Sequence, residues 1–187
     1  MRKVFLYLLL IMCGAAKAQN IALYFELIPE DLVLYMNAES RKSKIDTLST
    51  DYLSMHTSGI STLDIKMLPL TNDSTNILTV IESVETVGTI DSSIKFYTTT
   101  WSKLPTEKYF PVPEYKDFYK ENDSISLDEF SKLCIPFIVS YRFAGEGIIA
   151  TIDPEKYLPI ETYQKLSPAF ARKHMIYLWN DDKWYKQ

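Results

Sequence analysis

A chain of 187 residues with 24 acidic and 20 basic side chains has a net charge of −4, which repels nucleic acid and anionic lipid. Its 47% apolar content at this length supports a packed core without disulfide or metal staples. Only 5 glycines stand against 13 tyrosines and 9 phenylalanines, a balance that suits a sheet-rich fold more than a helical bundle.

Arg2 and Lys3 precede an apolar run, Val4 to Met12, and small residues ending in Ala16-Lys17-Ala18. That is the pattern of a secretory signal peptide, with cleavage expected after Ala18. The run is too short to cross a bilayer, which takes about 20 apolar residues. Lipidation at Cys13 is the alternative, and bulky Met12 directly before it argues against that route. Loss of Arg2, Lys3 and Lys17 leaves 17 basic residues against 24 acidic ones, a net charge of −7. Cys134, in the apolar run "FSKLCIPF", is then the one remaining cysteine and fits a small buried hydrophobe. No later segment reads as a transmembrane span, so an exported chain in the periplasm or outside the cell is expected.

Residues 21–37, "IALYFELIPEDLVLYMN", have apolar positions at helical spacing, and Pro29, Glu30 and Asp31 suit the first turn of a helix starting there. Residues 21–28 also fit a separate short helix. The polar stretch "AESRKSKIDTLSTDY" follows. "TLDIKMLPL", "ILTVIESV" and "DSSIKFYTTTW" then read as three strands of an antiparallel meander, the first two joined by the turn "TNDSTN". "KLPTEKYFPVPEY" breaks regular structure with three prolines. "ISLDEFSKLC" predicts a helix capped by Ser126 with Glu129 three residues on. "PFIVSYRF" and "IIATID" flank "AGEG" as a hairpin. "PIETYQKLSPAFARK" is a polar or short helical connection, and "HMIYLWNDDKWYKQ" is a strand, an Asn180-Asp181-Asp182 turn and a terminal strand.

The expected class is α+β, antiparallel sheet with helices packed on one side. The expected organisation is a cleaved signal peptide over residues 1–18, a helix-plus-meander lobe over 19–104, a Pro-rich acidic crossover over 105–124, and a helix with hairpins over 125–187 that shares one compact domain with the first lobe. Two similar lobes related by duplication are an alternative, since both halves end near a tryptophan, "IKFYTTTW" and "MIYLWNDDKW".

Three stretches, "IPEDLVLYMN", "STLDIKMLPLTNDST" and "VETVGTIDSSIKFYTTTWSKL", resemble an exported Bacteroidales family of unknown function, number 3256. The resemblance is carried by STL-x-x-K-x-LP followed by DS-x-I-x-FY-x-x-x-W behind a signal peptide, and it is strongest over residues 1 to 105. It implies a location at the cell envelope or outside the cell, and it carries no catalytic or binding residue with it.

Catalytic patterns are scarce. The two histidines, His56 and His174, form no H-E-x-x-H pair, and no G-x-S-x-G elbow, P-loop or dinucleotide glycine pattern is present. Cys134 with His174 is the one conceivable thiol–imidazole pair, in an apolar setting that disfavours a thiolate. Paired acids are plentiful: Glu114 and Asp117, Glu121 and Asp123, Asp128 and Glu129, Asp181 and Asp182. A carboxylate-dependent hydrolase is therefore the alternative to a binding protein. "ENDSISLDE" offers acids for a metal but lacks the glycine turn of a calcium loop, so neither a metal nor a cofactor is expected.

The C-terminal hairpin supplies the candidate binding residues, Trp179, Trp184 and Tyr185. Alternation places Trp184 and Tyr185 on opposite faces, so one of them should lie outside the core unless both faces are covered. An exposed Trp or Tyr there would stack on a glycan or anchor a protein, and cross-strand packing is the plainer role. Asp-Ser/Thr followed by an aliphatic residue or Thr recurs at Thr47, Ser74 and Ser124, candidate O-glycosylation positions. The functional expectation is an exported, non-enzymatic envelope protein that binds a protein or glycan, with a structural accessory subunit as a further alternative.

Overall fold

The computed structural model describes residues 20–71, 75–121 and 123–187. The expected signal peptide, Cys13 and Ser74 lie outside those residues.

The N-terminal segment is broken into short pieces. Helix α1 spans Ile21–Phe25, with the Asn20 side chain accepting from the Ala22 amide at 2.9 Å. The helix expected from Pro29 is a single 3-10 turn, Glu30–Val33, because Leu34 and Tyr35 both turn left-handed (φ 50° and 57°) and stop it. The polar stretch that follows holds more structure than its composition suggests. It forms α2, Ala38–Ser43, capped by Asn37, and the strands β1, Ile45–Leu48, and β2, Tyr52–His56.

The expected meander is present as β3, Ser61–Pro69, β4, Asn76–Glu85, and β5, Ile90–Thr98. With the two-residue β6, Lys103–Leu104, these complete a six-stranded antiparallel sheet in the order β1-β2-β3-β4-β5-β6. In place of an unstructured crossover, two single helical turns form, α3, Thr106–Tyr109, between Pro105 and Pro111, and α4, Tyr115–Phe118, after Pro113. Helix α5, Leu127–Leu133, is capped as the sequence predicts, the Ser126 hydroxyl accepting from the Glu129 amide at 3.2 Å. A second antiparallel sheet follows: β7, Ser140–Ala144, β8, Gly147–Thr151, β9, His174–Asn180, and β10, Lys183–Lys186, in the order β10-β9-β8-β7. Helix α6, Ile160–Leu166, lies in the connection between β8 and β9.

Period-2 alternation sorts the large sheet into two apolar faces. On one, Leu53, Met55, Leu63, Ile65, Leu78 and Val80 pack beneath Ile21, Phe25, Ile28, Leu32 and Val33 of the N-terminal segment. On the other, Leu68, Ile77, Ile81, Ile94 and Phe96 meet the inner face of the small sheet, including Tyr141, Ile148, Ala150, Met175, Tyr177 and Trp184. The central core is therefore built jointly by both sheets. A third cluster, with Phe130, Cys134, Leu158 and Leu166, gathers α5 and α6. The class is α+β, two antiparallel sheets with several short helices.

Candidate functional site

The β9–β10 hairpin turns at Asp181 and Asp182, both left-handed (φ 45° and 62°), so the two strands pair without a bulge, Trp184 opposite Trp179 and Tyr185 opposite Leu178. That register points Tyr177, Trp179 and Trp184 inward. Trp184 is 1% exposed and sits edge-on against Trp179, ring centroids 5.5 Å apart. Trp179 is half-buried, its indole N–H donating to the Pro69 carbonyl at 3.3 Å. The two tryptophans thus do core work, tying the hairpin to β3. Tyr185 alone of the three candidates faces outward, with Lys183 Nζ 4.8 Å from its ring centroid.

The face that Tyr185 belongs to is the more telling feature. Opposite Arg142 lies Ile149, opposite Ile149 lies Ile176, and Leu178 stands between Gly147 and Tyr185. Ile176 is 48% exposed and Leu178 is 42% exposed, and no described helix packs closely on β9. A Cβ on Gly147 would stand 2.9 Å from the Tyr177 carbonyl oxygen and 3.3 Å from Leu178 Cδ2, so the missing side chain lets Leu178 lie flat on the sheet. Antiparallel sheets with one wet face usually alternate apolar-in and polar-out, and this face does not. Arg142, Lys183 and His174 surround the aliphatic centre, and the outward positions of the four strands carry no carboxylate. Sequence reasoning missed Arg142, Ile149, Ile176 and Leu178. The available signal was the unbroken apolar runs "GIIA" and "MIYLW", which a sheet covered on one side only does not require.

The other candidates fall into structural roles. Cys134 is buried in the third cluster, where burial pushes its thiol up to about 11, while His174 is exposed on β9 with Nδ1 2.9 Å from the Thr151 hydroxyl. The structure does not bring the two together as a nucleophile and base. Glu114 and Asp117 cap α4, the Asp117 carboxylate accepting from the Glu114 amide at 2.8 Å. Burial opposes ionisation of Asp117, but Lys186 at 2.7 Å and that amide outweigh it and hold the carboxyl below its usual range. Asp128 pairs with Lys132 and Glu129 with Lys165, both at 2.6 Å. Asp182 accepts from the Thr71 amide. A cleft of about 490 Å³ at the end of the six-stranded sheet has Asp31, Glu82 and Asp91 among serine, threonine and aliphatic side chains. One oxygen of Glu82 is already shared by Lys95 and Ser93. Among the described residues no group of three or more His, Cys, Asp or Glu side chains is placed to hold a metal. Thr47, on edge strand β1, and Ser124, in a turn, are both exposed.

A family described as "Protein of unknown function (DUF3256)" matches residues 36–184. A solved structure of a domain of an uncharacterized protein from Porphyromonas gingivalis W83 has the same fold, with a TM-score of 0.76 at 18% identity, over 88% of this chain and 96% of that one. None of the curated proteins compared with the chain matches it. No described helix is long and apolar enough to cross a membrane.

Proposed function

From the premise that the chain belongs to the DUF3256 family, which brings no assigned activity, we propose an exported, non-enzymatic module of the cell envelope that docks a protein partner on the outer face of its small sheet. The observation that carries this reading is the uncovered row of Ile149, Ile176, Leu178 and Tyr185 inside a basic surround. Exposed apolar surface of this kind marks interaction sites, and interface cores combine aliphatic and aromatic anchors with a charged rim. The partner it fits has an apolar centre and an acidic rim. A flat aliphatic face suits a protein better than a glycan, which stacks on exposed aromatic rings. Export rests on the N-terminal pattern, and modification of Thr47, Ser74 and Ser124 accompanies it.

Site-specific photo-crosslinking in the native host tests the docking face. A crosslinker at Ile176 should capture one protein that the same group at exposed Glu161 on α6 does not. Purified, that protein should bind the wild type in a salt-sensitive manner and lose at least tenfold in affinity to Leu178→Asp. Equal capture at both positions, or unchanged affinity of the aspartate variant, overturns the reading. Capture of a second copy of this chain would replace a distinct partner with a self-assembling face.

A further inference from the structure

On the other side of β10 from β9 the sheet ends, so the outward backbone groups of Lys183–Lys186 pair with no strand among the described residues. Helix α3 and the Phe110-Pro111 segment run beside this edge without closing on it. Between them lies a cleft of about 400 Å³, within the range of small-ligand sites. Its walls bring together Lys108, Lys183 and Lys186 in a chain whose overall charge is −4.

These ammonium groups are not neutralised alike. Lys186 is held by Asp117 at 2.7 Å. Lys108 and Lys183 have no carboxylate partner among the described residues and instead sit over rings, Lys108 Nζ 5.0 Å from the Tyr109 centroid and Lys183 Nζ 4.8 Å from that of Tyr185. Tyr109 is fixed by stacking on Phe96 at 5.3 Å, so the Lys108 side of the cleft rests on the central core. Glu107 is the one carboxylate of the lining. Trp184, also a lining residue, has a buried indole N–H with no acceptor among the described residues. The cleft therefore offers two uncompensated cations, an edge of free backbone groups and the partly exposed ring of Tyr185.

We propose that this cleft binds an anionic saccharide, one carrying carboxylate or phosphate groups on a ring-sized body. Ammonium groups recognise the charge as point cations, and the Tyr185 ring gives a sugar face something to lie against. An acidic peptide shares the charge but not the use of a short concave cleft with a ring at its mouth.

The test is a titration of the full mature chain, followed by amide and indole NMR shifts, with four probes: digalacturonate, its uncharged methyl ester, inorganic phosphate and a tetraglutamate peptide. Digalacturonate should shift the Trp184 indole and the amides of 108–111 and 183–186, and should bind at least tenfold tighter than the ester. Binding should weaken with added salt. Lys108→Gln, which removes the uncompensated cation that lies off the outer sheet face, should weaken it at least tenfold while the thermal transition moves little. Lys108 lies off the outer sheet face, so Lys108→Gln should leave capture by the crosslinker at Ile176 unchanged, which keeps failure of this proposal distinct from failure of the docking reading. Equal binding of the ester, equal or tighter binding of tetraglutamate or phosphate, or unaffected binding by Lys108→Gln each overturns the proposal.

Discussion

Lys66 crosses the interior between the two sheets: it projects from β3, is 6% exposed, and its Nζ donates to the Gly145 carbonyl at 2.9 Å in the β7–β8 turn. The Glu146 carboxylate, itself largely exposed, lies 3.4 Å away. A buried ammonium needs hydrogen-bonded partners to offset its lost hydration, and here those partners come from the opposite sheet. Lys66 therefore acts as a tie that registers one sheet on the other. Truncation by Lys66→Ala removes a buried aliphatic stem and strips the Gly145 carbonyl of its donor, a loss expected at about 2–4 kcal/mol. Lys66→Met also strips that carbonyl, which sits on exposed Gly145 within reach of water, but it keeps the stem and removes a desolvated charge, so it should cost less than about 1.5 kcal/mol. Urea unfolding of the two variants checks this, and an equal loss in both would show that the ammonium rather than the stem matters.

Trp184 and Tyr185 are sequence neighbours on opposite faces of β10, so their variants should separate stability from binding. Trp184→Ala opens a cavity against Trp179 and the central core and should cost about 3–5 kcal/mol. Tyr185→Ala removes a partly exposed ring and should stay within about 1 kcal/mol of wild type by the same unfolding assay. If Tyr185→Ala instead unfolded the hairpin, the outer face would be part of the fold's support rather than a docking surface.

The cap of α5 is a local device and can be tested as one. Ser126 accepts from the Glu129 amide, and neither group reaches the central core. Ser126→Ala should destabilise by about 1 kcal/mol, and Ser126→Asp should restore most of that loss. Circular dichroism melts of the three proteins would show a shift of the transition midpoint without a change of fold.

These local devices are what the sequence made legible. Ser126 with Glu129, the alternation in "TLDIKMLPL" and the Asp181-Asp182 turn each act within a few residues, so spacing alone revealed α5, β3 and the last hairpin. The polar stretch 38–52 was opaque because β1 is an edge strand with three of its four residues exposed, and its hydrogen bonds to β2 leave no apolar signature. The N-terminal helix was overextended because helical spacing cannot foresee that Leu34 and Tyr35 turn left-handed. The candidate site was half legible. Alternation separated Tyr185 from Trp184, but which side faced the core depended on the second sheet packing on the first. The Lys108–Lys183 cleft joins residues far apart in the chain and left no mark in either segment.

Buried acids with raised pKa give the fold an alkaline limit. Burial pushes the Cys134 thiol up to about 11. Burial, and then the hydrogen bond to Asp64 at 2.6 Å, pushes Tyr52 up to about 12. Burial, and then the charge of Glu82, pushes Tyr97 up to about 12. In the unfolded chain these groups release protons near their ordinary values, about 8.5 for a thiol and about 10 for a phenol. Between those values and the folded ones the unfolded state binds fewer protons, so stability falls as pH rises. Their contribution is complete below about pH 8.5, where both states stay protonated, and is lost progressively through pH 11 to 12. The midpoint of thermal unfolding should therefore drop steadily above pH 9, and Cys134→Ala should flatten the first part of that decline. In native buffer at pH 8 a thiol reagent should leave Cys134 unmodified and should label it at once in denaturant. Rapid labelling of the folded chain would show that the thiol is reachable, contrary to its place beneath Phe130 and Leu158 in the third cluster.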